Sequence, residues 1–234
     1  MKNLSDLIMA DLLSNVDEDY RKNSYKYFKE DVKIIGVRSE KRKEIFKKYW
    51  PNFKNAEKKF MLEFCELFLE KGYNETIAFA LEIARKRNFF EKSDFSLIEK
   101  WLSKYIKNWG SCDDFSVHIL GRFIKNNPEF VDTMLIWARK KDRWYKRASA
   151  VAFVKISREE KFLKYAFKIA DILLEDEDDL VRKGYGWMLK EAANFHLNDV
   201  FNYVIKNKSK MPRTALRYAI EKMPKNMKME AMSK

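Results

Sequence analysis

The stretch Trp109-Gly110-Ser111-Cys112-Asp113-Asp114-Phe115 places a large aromatic side chain four residues before a carboxylate. Ser111 followed by Asp114 is a capping-box variant, which puts Ser111 at a helix N-cap and both acids in the first turn. Acids in a first turn also suit the helix macrodipole, so this position alone accounts for a carboxylate there. A Trp on a Gly-containing loop beside that carboxylate is less ordinary and looks like the wall of a site. The other concentration of useful groups is Asp142-Arg143-Trp144-Tyr145-Lys146-Arg147-Ala148. Interleaved basic and aromatic side chains suit phosphate contact combined with packing on a sugar or base. A solvated charged turn with Trp144 tucked inward would show the same residues. Lys155 follows Arg147 by about two turns, so both are expected on one helical face.

Two further segments carry partial signals. Arg182-Lys183-Gly184-Tyr185-Gly186-Trp187-Met188-Leu189-Lys190-Glu191 holds two glycines inside a helical pattern. Each costs about 1 kcal/mol relative to Ala, so another helix or a ligand must pass close to that backbone. Trp187 fits either a core position or an exposed wall. Pro212-Arg213-Thr214-Ala215-Leu216-Arg217-Tyr218-Ala219 reads as a basic helix start, more in the manner of a terminal cap than of a site.

The elements that must position these groups are helices. With 6 Gly and 4 Pro in 234 residues, against about 16 and 12 at typical usage, the chain lacks the residues that tight strand connections need. Apolar residues recur at helical spacing: Phe60, Phe64, Leu67 and Phe68 over 55–71; Ile77, Ala80, Leu81 and Ala84 over 73–87; Phe162, Leu163, Ala166, Ile169 and Ala170 over 159–174. Breaks are expected at Pro51, Gly72, Gly110, Pro128, the acidic run 175–179 and Pro212, giving about a dozen helices of roughly 10–17 residues. Helix pairs recur at about 35–40 residues, close to HEAT-type spacing. Stacked pairs would make one solenoid with a concave basic face over residues 1–234; an irregular bundle is the alternative.

Hydrophobic residues are 46% of the chain and charged residues 35%, which excludes a disordered chain. The balance of 48 basic to 35 acidic residues, net +13, favours polyanionic partners. Cys65, Cys112, His118 and His196 form no ligand cluster, so no metal is expected. Two unclustered cysteines suggest a reducing cytoplasm. Asp6 and Asp11 interrupt the apolar pattern of the N-terminus, which argues against a signal peptide. No apolar run is long enough to span a bilayer, so no membrane partner is expected.

In order along the chain, these segments resemble the DNA alkylation repair family, the HEAT-like alkylpurine DNA glycosylases. Tyr27-Phe28-Lys29 with Gly36-Val37-Arg38 and Arg42 resembles its N-terminal signature. Trp109 and Asp113 match its Trp-x-x-x-Asp motif, and Trp144, Arg147 and Ala148 its Trp-x-x-Arg-x-Ala motif. Gly186, Trp187, Leu189, Lys190 and Glu191 match Gly-Trp-x-Leu-Arg/Lys-Glu. The likeness runs from about residue 20 to 222. Gly110 departs from the pattern, standing where relatives often carry an acid, and Cys112 replaces an aliphatic residue.

The resemblance implies an all-α HEAT-like solenoid that excises cationic N3- and N7-alkylated purines from double-stranded DNA without flipping the base. It implies Asp113 as the catalytic carboxylate, facing the deoxyribose C1′ and steadying oxocarbenium charge. It implies Trp109 and Trp187 flanking the sugar, and Arg147, Lys155 and Lys190 at phosphates. Tyr27 and Arg38 join the DNA-binding set. The chemistry needs no cofactor, and a monomer is the default expectation. Two other functions fit the composition: a non-catalytic binder of branched or damaged DNA, and a helical-repeat protein scaffold. The basic-aromatic segments weigh against the scaffold.

Overall fold

The computed structural model describes residues 1–233, and their regular structure is helical, with one isolated bridge between Lys33 and Tyr73. Among these residues no helix is long and apolar enough to cross a membrane. The chain divides into two compact units, residues 1–114 and the remainder from Phe115.

The first unit contains α1 (Lys2–Leu13), α2 (Glu18–Ser24), α3 (Ser39–Tyr49), α4 (Pro51–Lys54), α5 (Lys58–Lys71), α6 (Asn74–Arg87), α7 (Phe95–Tyr105) and most of α8 (Trp109–Phe115). Its core is an aromatic cluster. Phe64 and Phe68, one turn apart on α5, stack at 4.6 Å. Phe53 meets Phe64 edge-on at 4.8 Å, and Phe46 of α3 lies 4.8 Å from Phe79 of α6. Such pairs add about 0.5–1.5 kcal/mol beyond the area they bury. The helical stripe read for 73–87 faces inward, with Ile77, Ala80, Leu81 and Ala84 buried. Gly72 ends α5 in the left-handed conformation at φ 73°, the usual role of glycine after a helix.

One loop of this unit is held unusually firmly. Gly36 has φ 103°, and a Cβ there would sit 2.6 Å from the Cβ of Arg21, so only glycine fits. The buried carboxylate of Glu75, in the first turn of α6, accepts hydrogen bonds from the backbone N–H groups of Ile35 (2.9 Å), Gly36 (2.8 Å) and Val37 (3.1 Å). A buried carboxylate is tolerated only when its lone pairs are matched in this way.

The second unit opens with a π-helical turn, Ser116–Leu120. It continues through α9 (Gly121–Asn126), α10 (Val131–Trp137), α11 (Arg143–Val151), α12 (Phe153–Ile156), α13 (Glu160–Leu173), α14 (Asp179–Ala193), α15 (Leu197–Asn207), α16 (Arg213–Ala219) and α17 (Lys225–Met232). The inward stripe of α13 is Phe162, Leu163, Ala166, Ile169 and Ala170, all buried. Asp178 caps α14, accepting from the N–H groups of Leu180 and Val181. The two glycines of α14 are explained by neighbouring helices. A Cβ at Gly186 would lie 2.7 Å from Tyr218 Cβ and 2.9 Å from the carbonyl oxygen of Ala215, both on α16. Gly184 faces Arg147 and Val151 of α11.

Several boundaries differ from expectation. The helices are more numerous and often shorter than a dozen of 10–17 residues. Gly110 is not a break but the second residue of α8. The segment from Pro212 forms α16, which packs into α14 and is followed by α17.

Candidate functional site

Asn108, rather than Ser111, starts α8. Its side-chain oxygen accepts from the N–H of Ser111 at 2.9 Å, while its carbonyl accepts from the N–H of Cys112 and the hydroxyl of Ser111. Asn caps a helix as well as Ser does, and here it takes the start three residues earlier. Trp109 is therefore the first helical residue, not a loop residue, and Asp113 and Asp114 lie in the second turn. The macrodipole acts mainly within the first turn, so helix-end electrostatics no longer accounts for either acid.

Trp109 and Asp113, four apart on α8, share one side of the helix, and both are half-buried. The indole is fixed from two directions. Its Nε1–H donates to the carbonyl of Tyr27 at 3.0 Å, and its ring stacks on Phe28 at 5.8 Å with an interplanar angle of 29°. The structure thus brings the Tyr27–Phe28 turn, Trp109 and the Asp113 helix together. The Tyr27 side chain itself is 74% exposed. Arg38, exposed at the end of the Glu75-held loop, pairs with Asp17 at 2.7 Å and lies 5.3 Å from the Tyr20 ring centroid. The Tyr20 N–H and the Arg38 guanidinium together hold the Asp17 carboxyl below the usual carboxylate range.

Behind α8, a groove of about 620 Å³ runs between α3, α6 and α8, with Gly110, Ser111 and Asp114 on its wall. Its other walls are basic and aromatic, from Arg42 and Lys43 through Trp50 to Arg85 and Lys86. Arg85 pairs with Glu82, and that hydrogen bond raises the guanidinium's pKa further.

The remaining candidates belong to the second unit. Arg147 is only 5% exposed; its guanidinium packs beside Gly184 and donates to the carbonyl of Leu180. Lys155 is exposed, with its ammonium 3.2 Å from His118 Nδ1. The two differ in exposure, Arg147 being buried and Lys155 exposed, and a turn at Ala152 separates α11 from α12. Trp144 is buried, whereas Trp187 is half-buried on α14. Lys190 pairs with Glu221 at 3.1 Å and lies over the Tyr218 ring.

Three contributors escaped the sequence: Glu75, Asn108 and Trp50. Only Asn108 carried a usable signal, being a strong capping type immediately before a helical pattern. Among the described residues no group of His, Cys, Asp and Glu is arranged to hold a metal ion. Both cysteines are buried thiols, and burial pushes the Cys65 thiol well up.

Comparison with known proteins adds two findings. The family model described as DNA alkylation repair enzyme matches residues 8–223. A solved structure, that of a predicted DNA alkylation repair enzyme from Enterococcus faecalis, superposes with a TM-score of 0.78 at 14% identity, covering 90% of this chain and 98% of that one. At that identity the likeness concerns the fold. No curated protein sequence matches the chain.

Proposed function

This chain belongs to the DNA alkylation repair enzyme family, and on that premise we propose that it is a DNA glycosylase for cationic N3- and N7-alkylated purines in duplex DNA. The reading rests on one observation: a half-buried carboxylate, Asp113, one helical turn from an indole whose orientation is fixed by Tyr27 and Phe28. Neither acid of α8 is explained by capping or by the helix dipole.

The reaction follows from the substrate. An alkylated purine already carries positive charge and is a good leaving group, so little acid catalysis is required. As the glycosidic bond lengthens, charge develops on the deoxyribose. Asp113 stabilises that charge electrostatically and orients the attacking water, taking its proton. The face of the Trp109 ring presents negative quadrupole to the same cation. As the resemblance to the family implies, the base is taken to leave without being flipped, while the carboxylate acts on the sugar. Tyr27 and Arg38 on the first unit, and Lys155, Lys190 and Trp187 on the second, are the proposed duplex contacts. Arg147, buried at the α11–α14 seam, supports its helices and meets a phosphate only where a strand comes close to that seam.

The test is release of free 7-methylguanine or 3-methyladenine from methylated duplex. Asp113→Asn should lose most turnover, on the order of 10²-fold or more, while retaining duplex affinity. Equal turnover in that variant refutes the role of Asp113. Absence of base release from the wild type, with tight salt-sensitive binding to junction DNA, replaces the glycosylase by a non-catalytic DNA binder.

A further inference from the structure

An indole ring has two negative faces, and a cation forming on a sugar is drawn to either of them. In Trp109 the two faces are not equivalent. One stacks on Phe28 at 5.8 Å, and among the described residues no other ring stacks on the indole and no cation lies over it. The Nε1–H edge is also taken, donating to the Tyr27 carbonyl at 3.0 Å. Both fixtures come from adjacent residues of one turn, so they act on the indole as a unit.

That turn is anchored at both ends. The Phe28 N–H donates to the Tyr25 carbonyl at 3.2 Å and closes the short 3-10 turn Tyr25–Tyr27 that follows α2. At the start of α2, the Asp17 N–H donates to the Gly36 carbonyl at 2.9 Å, and the Asp17 carboxylate pairs with Arg38. Gly36 and Arg38 belong to the loop that Glu75 holds. The neighbour of Trp109 leaves the Phe28 ring its room: a Cβ at Gly110 would lie 4.0 Å from Phe28 Cε1 and 3.4 Å from Asn108 Oδ1, the oxygen that caps α8. A methyl group fits at that distance; a branched side chain reaches the ring or the capping oxygen.

We propose that Phe28 is a positioning residue for Trp109: its ring closes one indole face, so that only the opposite face meets the deoxyribose, and the missing side chain of Gly110 gives the ring its place. Phe28 itself touches no substrate. It acts by leaving the indole one open face in one orientation before the duplex arrives, so none of the binding energy is spent on turning it. The proposal rests on the glycosylase reading above and assigns the wall opposite Asp113's substrate rather than the acid itself.

The test measures three quantities on the full chain: single-turnover release of 7-methylguanine from methylated duplex, duplex affinity, and the indole N–H resonance of Trp109, identified by its loss in Trp109→Phe. Phe28→Leu keeps an apolar side chain and removes the ring. It should shift that resonance, speed its hydrogen exchange and slow base release by about 10-fold or more, with duplex affinity within about 2-fold of wild type. Phe28→Tyr keeps the ring and should restore the resonance and bring the rate back to within about 2-fold. Gly110→Ala should leave both unchanged, whereas Gly110→Val should disturb both. Adding Phe28→Leu to Gly110→Val should cost little more, because the two changes act through one ring. The proposal is overturned if Phe28→Leu leaves the resonance or the rate unchanged, if Phe28→Tyr fails to rescue, or if the effects of Phe28→Leu and Gly110→Val multiply as independent ones do. Should the wild type release no base, the glycosylase reading fails by itself, and the indole resonance still decides whether Phe28 orients Trp109.

Discussion

Replacing Glu75 by Gln tests whether one buried carboxylate organises the N-terminal loop. In the structure its two oxygens accept three backbone N–H groups, from Ile35, Gly36 and Val37. An amide of the same shape keeps one oxygen. If that oxygen serves Gly36 and Val37, which share Oε1, the NH2 group must face the N–H of Ile35. A buried donor without an acceptor costs about 1–3 kcal/mol. The two surviving bonds lose their charge assistance, about 1 kcal/mol each on the same scale. A neutral amide is easier to desolvate than a carboxylate, which offsets part of this. The net is about 2–4 kcal/mol, or a fall in Tm of about 5–15 °C for a chain of this size. Differential scanning calorimetry gives the Tm, and amide hydrogen exchange at residues 35–37 gives the local opening. The exchange there should accelerate more than in the α5 core. A Tm within about 1 °C of wild type, with unchanged exchange, would show that the carboxylate does not hold this loop.

Other outcomes follow from close contacts and charges. Gly186→Ala gains about 1 kcal/mol of helix propensity. It meets Tyr218 Cβ and the Ala215 backbone, neither of which can rotate away, so overpacking of about 1–3 kcal/mol prevails and Tm falls. Gly184→Ala meets only side-chain atoms at 3.4–3.5 Å and should raise Tm by about 2–4 °C; the opposite order in thermal melts would contradict the packing of α16 on α14. The folded-state pKa of Asp17 is depressed, so its ionised form stabilises above the ordinary carboxylate range and that contribution disappears as pH falls through the folded value. The Tm gap between wild type and Asp17→Asn should therefore be present at neutral pH and close at pH below about 4; melts across that range decide it. Arg147→Ala removes a buried guanidinium from the Leu180 carbonyl and should cost about 2–3 kcal/mol in urea unfolding with little change in the slope of log DNA affinity against log salt. A slope lower by about 1 unit with unchanged stability would place Arg147 at a phosphate instead.

The helical class was legible because period and composition agreed: buried stripes such as Phe162, Leu163, Ala166, Ile169 and Ala170 follow the spacing, and scarce Gly and Pro left no material for strands. Boundaries were less legible where two residues competed for one task. Asn108 and Ser111 are both good caps, and only the surrounding chain decided between them. The glycines of α14 announced a close approach, but whether helix or ligand approached depended on α16, some 30 residues away in sequence. Arg147 read as a surface cation because burial of a guanidinium depends on a carbonyl acceptor, that of Leu180, which no local pattern advertises. The groove was invisible for the same reason: its walls come from α3, α6 and α8, which are far apart in sequence.

The early start of α8 at Asn108 makes the spacing between Trp109 and Asp113 a matter of helical phase. Each residue of an α-helix advances the side chain by about 100°, so one inserted or deleted residue between them would swing the acid to a different side of the rod. A loop could absorb such a change by bending; a capped turn cannot. Length variation should consequently be tolerated before Asn108, in the stretch that leads up from α7, and punished within the four residues that follow it.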